Sequence, residues 1–168
     1  MKWLIRIVAA LAVLALVTVL VFQLFGEEIW RSVAPVPAVV PFAELTPPDT
    51  PNEFLVCPEQ GCGRTPDLVS PVYAVSPEEL LDAVADRLRR QAGIPLRLDD
   101  GTLLYTTHSP TFRFPDDVAV GAFPAEGGGS RIAVHAKARI GVDDTGANER
   151  RTREWLALLT DLERQPAS

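Results

Sequence analysis

Between Ala138 and Arg151 the chain reads Ala-Arg-Ile-Gly-Val-Asp-Asp-Thr-Gly-Ala-Asn-Glu-Arg-Arg. Arg139, Asp144, Asn148 and Arg151 are the side chains there with the most chemistry to offer, and two readings of them stay open. In the first they are scaffold: each arginine pairs with Asp144, joining strand, loop and helix by charge-assisted hydrogen bonds. In the second they line an anion-binding or polar ligand site beside a helix amino terminus. Gly141 and Gly146 suit turns that need positive φ or close backbone approach. Asp143, Asp144 or Asn148 can cap the helix that follows.

Covalent chemistry has less support. There is no Gly-x-Ser-x-Gly and no two-histidine metal pair, and Ser70, Ser109 and His108 show no assembled triad spacing. Triads are set in space rather than in sequence order, so an envelope hydrolase is kept as the alternative to a non-enzymatic module. No metal and no cofactor is expected. Cys57 and Cys62, the only cysteines, enclose Pro-Glu-Gln-Gly. In an oxidising compartment they read as a disulfide closing a small loop. A redox pair usually has two intervening residues, and a metal site would need ligands that His108 and His135 are not obviously placed to give.

The elements that must position these groups follow from periodicity. Ile132, Val134, Ala136, Ala138 and Ile140 alternate with Arg131, Ala133, His135, Lys137 and Arg139. That is a strand with one core face and one basic face, and the basic face needs solvent, a ligand, the proline-rich arm or a partner to cover it. Trp155, Leu158, Leu159 and Leu162 form the apolar stripe of a closing helix, with Asn148 and Arg151 aligned upstream. Ser76-Pro77-Glu78-Glu79 starts an earlier helix with a capping box. Leu80, Leu81, Val84 and Leu88 are its apolar face, and Gly93 and Pro95 stop it. Asp99-Asp100-Gly101 predicts one hairpin and Glu126-Gly127-Gly128-Gly129 turns another. The aromatics of Phe112-Arg113-Phe114 are expected to cover the core edge.

Upstream, every residue from Ile7 to Phe22 except Thr18 is apolar, and Trp3 to Phe25 meets the ~20 residues needed to cross a bilayer. Lys2 and Arg6 precede the run, and Glu27 and Glu28 follow it, so the amino terminus should lie inside and the remainder outside. An uncleaved anchor is favoured over a signal peptide, because the small-residue site Val36-Pro37-Ala38 lies far beyond the apolar run. Six prolines between Pro35 and Pro51 then forbid helix and central strand and predict an extended arm. The expected organisation is residues 1–26 anchor, 27–51 linker and 52–165 soluble domain.

The net charge of −6 falls wholly on residues 31–168. An acidic domain is a poor match for nucleic acid, whose phosphates need a basic surface.

Arg139, Gly141, Asp144, Gly146, Asn148 and Arg151, in that spacing, resemble the closing signature of a bacterial family, domain of unknown function 1499. Pro51-Asn52 and Leu55-Val56-Cys57-Pro58 are similar to its opening, and Phe112 to Asp117 to a second motif. The resemblance covers roughly Pro41 to Leu162, and Ala138 stands where the family pattern has Ser. It implies no chemistry. The expected fold is α+β: a membrane helix, then an antiparallel sheet of about four to six strands with two helices on one face. The expected function is a single-span module on the periplasmic side of the inner membrane, binding a lipid-like or polar ligand or an envelope protein.

Overall fold

A computed structural model describes residues 1–92 and 96–164. Helix α1 spans Lys2–Val33 and then gives way to an extended arm with a single 3-10 turn at Phe42–Glu44. The folded unit follows as β1 (Glu53–Cys57), β2 (Leu68–Val69), β3 (Val72–Tyr73), α2 (Pro77–Ala92), β4 (Arg97–Asp99), β5 (Thr102–His108), β6 (Pro115–Pro124), β7 (Ser130–Ala138) and α3 (Ala147–Ala157). α1 continues past Gly26 because Glu27 to Val33 contains no breaker. Pro35 then biases Ala34 away from helical backbone, and Ala34 takes φ −138°, ψ 83°.

The fold is α+β as expected, with a sheet ordered β2-β1-β7-β6-β5-β4 and β3 added beside the first residues of β7. Seven strands are seen among the described residues, and the sheet is mixed rather than purely antiparallel. β2 pairs with β1 in parallel, Val56 opposite Leu68, because the chain doubles back after Cys57 and returns along the outer edge in the same direction. β6 and β7 form the central hairpin, with nine paired positions from Asp116–Ala138 to Pro124–Ser130.

The period of two in β7 decides the two sides of the sheet. Ile132, Val134 and Ala136 join Phe54, Val56, Tyr105, Val118 and Val120 in one core, which α2 seals with Leu80, Val84 and Leu88. α2 opens with the predicted box: the Ser76 amide donates to Glu79 Oε2 at 2.9 Å, and the Glu79 amide donates to Ser76 Oγ at 3.2 Å. Its predicted stop, Gly93 and Pro95, lies outside the described residues. α3 covers the same face, but its buried stripe runs Asn148, Thr152, Leu156 and then Leu159, with Trp155 and Leu158 only partly buried. The first turns of α3 lie over the polar end of the sheet, so the stripe begins with an amide and a hydroxyl.

The opposite face carries a smaller core of Phe42, Leu45, Leu55, Cys57 and Ala133. The arm forms it by folding back over the sheet, held by the Gly63 amide donating to the Phe42 carbonyl at 2.8 Å. Cys57 and Cys62 are joined as a disulfide at a Cα–Cα distance of 6.4 Å, and their loop supports this contact.

Candidate functional site

The four predicted side chains do not converge on one point. Arg139 lies on the outer, arm-covered face of the sheet, while Asp144, Asn148 and Arg151 lie at the end of the helical face. Neither arginine reaches Asp144. Their partners are Asp117 and Asp116, adjacent on β6 and therefore pointing to opposite faces.

On the outer face the Arg139 guanidinium grips Asp117 in a two-pronged pair, with Nε donating to Oδ2 at 2.7 Å and Nη2 donating to Oδ1. Thr106 Oγ1 closes the triangle by donating to Asp117 Oδ1 at 2.8 Å and accepting from Arg139 Nη2 at 3.2 Å. The remaining nitrogen, Nη1, donates to the Ala34 carbonyl at 3.2 Å. One arginine thus ties two strands to the point where helix becomes arm.

Further along the same face the Glu53 side chain is only 4% exposed. Lys137 Nζ and Arg64 Nη2 each lie 3.0 Å from its carboxylate. His135 Nε2 lies 3.4 Å from Glu53 Oε2, off the line of a hydrogen bond, so this buried nitrogen has no hydrogen-bond partner. Burial pushes the His135 imidazole below its ordinary pKa despite the neighbouring carboxylate. Burial pushes Glu53 upward, but Lys137 and His135 outweigh it and hold the carboxyl below its usual range. The face expected to be basic is therefore close to neutral, since Glu53 and Asp117 answer Arg64, Lys137 and Arg139. The sequence pattern of β7 alone could not show this, because the compensating carboxylates come from β1 and β6.

Between this face and the arm lies a cleft of about 810 Å³. Its floor includes Glu53, Thr106, Asp117, Ala119, His135 and Lys137, and its outer wall is the arm from Ala34 to Asp49. Val36, Val39 and Val40 on that wall are exposed. Glu27 and Arg31, in the last turns of α1, stand at one end.

The helical-face cluster is built differently. Arg151 Nη2 lies 2.8 Å from Asp116, and its Nη1 donates to Asn148 Oδ1 at 3.1 Å. Asn148, fully buried, turns its amide nitrogen to the Asn52 carbonyl at 3.5 Å, while Asn52 Nδ2 donates to the Gly141 carbonyl at 2.8 Å. Asp144 caps α3, accepting from the Gly146 and Asn148 amides at 2.9 and 2.8 Å. Gly141 and Gly146 take φ of 98° and 71°, the left-handed region their turns require. Burial pushes the Asp116 carboxyl upward, with Arg151 opposing. Asp116, Asp144, Asn148 and Arg151 each have a protein partner here, whereas the buried Thr152 hydroxyl one turn further on has none among the described residues.

A family model described as Protein of unknown function (DUF1499) matches residues 45–159. That is more than half of the chain. The chain belongs to the DUF1499 family. The DUF1499 match takes in both clusters, including Asp116, Asp117 and Glu53, and it leaves α1 and most of the arm outside. No curated protein and no solved structure matches the chain.

Ser70, Ser109 and His108 are not assembled in this DUF1499 chain. Ser70 Oγ donates to the Pro71 carbonyl and accepts from the Ile132 amide, and Ser109 Oγ accepts from the Phe114 amide. Among the described residues, no group of three His, Cys, Asp or Glu side chains is disposed to hold a metal ion. Sequence reasoning missed Asp116, Asp117, Glu53, Arg64 and Thr106. For the first two the signal was available, because consecutive carboxylates in a strand must face opposite sides.

Proposed function

We propose that the protein is a membrane-anchored, envelope-facing binding module that holds a lipid-like amphiphile in the cleft between its arm and the outer face of its sheet. The cleft carries the reading. Its volume of about 810 Å³ falls in the range of small-molecule sites. Its walls also differ in character: valines and prolines of the arm suit an apolar tail, while Lys137, half-exposed on the floor, suits a polar head. The helical-face cluster is scaffold in this reading, because Asp116, Asp144, Asn148 and Arg151 are already partnered with one another and with backbone amides.

α1 is long and apolar enough to cross a membrane. Three observations favour a retained anchor over a removed signal segment: Gly26 is buried, Gln23 and Trp30 donate hydrogen bonds into the folded unit, and Arg139 holds the Ala34 carbonyl. The charges flanking α1 and the disulfide support an oxidising, extracytoplasmic side. Solvent extraction of the full-length chain purified from cell membranes tests the ligand. An amphiphile recovered in a fixed ratio to protein is expected. An extract indistinguishable from that of an unrelated single-span protein contradicts the reading.

A further inference from the structure

We infer that the β5–β6 hairpin tip, Ser109–Phe114, is a bilayer-contacting surface that seats the folded unit directly on the lipid headgroup layer. The inference rests on the reading that α1 spans the membrane, and it goes beyond the ligand cleft.

The first observation concerns depth. Trp3 to Phe25 rises about 34 Å at 1.5 Å per residue, slightly more than the ~30 Å hydrocarbon core. Phe22 therefore sits near the outer edge of that core, about 7.5 Å below Glu27 along the helix. The Phe112 ring packs edge-on against Phe22 at a centroid distance of 5.6 Å. Trp30 stacks on Phe22 at 5.5 Å and leans on Phe114 at 4.8 Å. If α1 is in the membrane, Phe112 lies at the headgroup–acyl boundary, where aromatic rings collect. Phe112 and Phe114 remain 39% and 38% exposed, although they were expected to cover the core edge. Lipid is the partner that would cover them.

The second observation explains an anomaly of the sequence. Gln23 interrupts an apolar helix near its outer end, where a polar group is costly. Its Nε2 donates to the carbonyls of both Pro110 and Thr111, the latter at 2.9 Å, and Trp30 Nε1 donates to the Phe112 carbonyl at 2.7 Å. Loop carbonyls at membrane depth need such donors, because lipid supplies none. Gly26 permits the approach: a Cβ there would stand 2.7 Å from Arg113 Cβ. Arg113 then pairs with Glu27 just above the aromatics, at headgroup level.

The test uses the full-length chain in nanodiscs of phosphatidylethanolamine and phosphatidylglycerol, with single nitroxide labels and collision measurements against oxygen and a nickel chelate. Labels replace Thr111 at the tip (Thr111→Cys), Glu126 at the far end of the sheet (Glu126→Cys) and Val13 in mid-helix (Val13→Cys). The proposal expects the tip label to shift toward oxygen relative to the Glu126 position, and Phe112→Ser to reduce that shift. A tip label as open to the nickel chelate as the one at Glu126, with Val13 reporting hydrocarbon, overturns the seating alone. A water-exposed label at Val13 overturns the anchor and the seating together.

Discussion

Asp116 and Asp117 are neighbours on β6, yet their carboxylates serve opposite faces of the sheet, Asp116 binding Arg151 beneath the helices and Asp117 binding Arg139 beneath the arm. One dipeptide therefore supports two separate constructions. The first fixes the start of α3. The second fixes the arm and, through it, the outer wall of the cleft.

Arg139→Ala should weaken both the end of the central strands and the arm. The Arg139 side chain is 8% exposed and Asp117 20%, so removing the cation leaves a mostly buried carboxylate and a cost of about 2 to 4 kcal/mol. Thermal unfolding should shift to lower temperature, and limited proteolysis should cut first between residues 34 and 41. An unchanged midpoint with an uncut arm would contradict the tether.

Arg151→Ala should carry a stability deficit that shrinks in acid. Burial already raises the Asp116 pKa, and Arg151 opposes that rise. Without Arg151 the folded state holds the proton more tightly than the unfolded chain. Its deficit relative to the parent should then shrink as pH falls from neutral toward the raised Asp116 pKa. Denaturant midpoints across that range check this, and a constant deficit would count against a buried, charged Asp116.

Reduction of Cys57–Cys62 should cost about 2 kcal/mol, the value for a short closed loop. The loss should be felt beside the disulfide, where Cys57 packs with Phe42 and Leu45. Hydrogen exchange in β1 and at the Gly63 amide should quicken on reduction. Full thiol labelling without reductant would show that the bond is absent.

His135 should make the protein acid-sensitive. Its folded pKa is lowered, chiefly by burial, while Glu53 pulls the other way and Lys137 and Arg64 add to the lowering. The unfolded chain then takes up a proton first, so stability declines as pH falls below about 6.5. His108 is lowered in the same direction, again chiefly by burial. His135→Gln should therefore reduce, not abolish, the drop in melting temperature between pH 7 and pH 5. An unaltered pH profile in that variant would show that His135 is freely protonated in the fold.

Much of the fold was legible because local chemistry and global packing agree. Ser76 and Glu79 form the capping box that their spacing announces, and the alternation from Arg131 to Ala138 separates the two faces of β7. The polar end of the sheet was harder to read, since Arg139 and Asp117 are 22 residues apart and meet only through the β6–β7 register. β7 read alone looked basic on one side, because Glu53 reaches His135 and Lys137 only through the β1–β7 pairing. The arm was one of four covers the sequence offered for that face, and the choice among them was not legible because prolines dictate an extended backbone but not the surface it lies on. The acceptors of Gln23 and Trp30 lie more than 80 residues away, so nothing local in the sequence pointed to them.

The cleft under the arm is proposed to hold an amphiphile. Native mass spectrometry of the full-length chain, released from mild detergent, tests it most directly when run beside Ala119→Trp, which places a large ring on the cleft floor. A reproducible additional mass is expected on the parent chain, absent or strongly reduced in Ala119→Trp with the melting temperature preserved. A parent chain that is always bare, or an additional mass that persists when the cleft is filled, would contradict it.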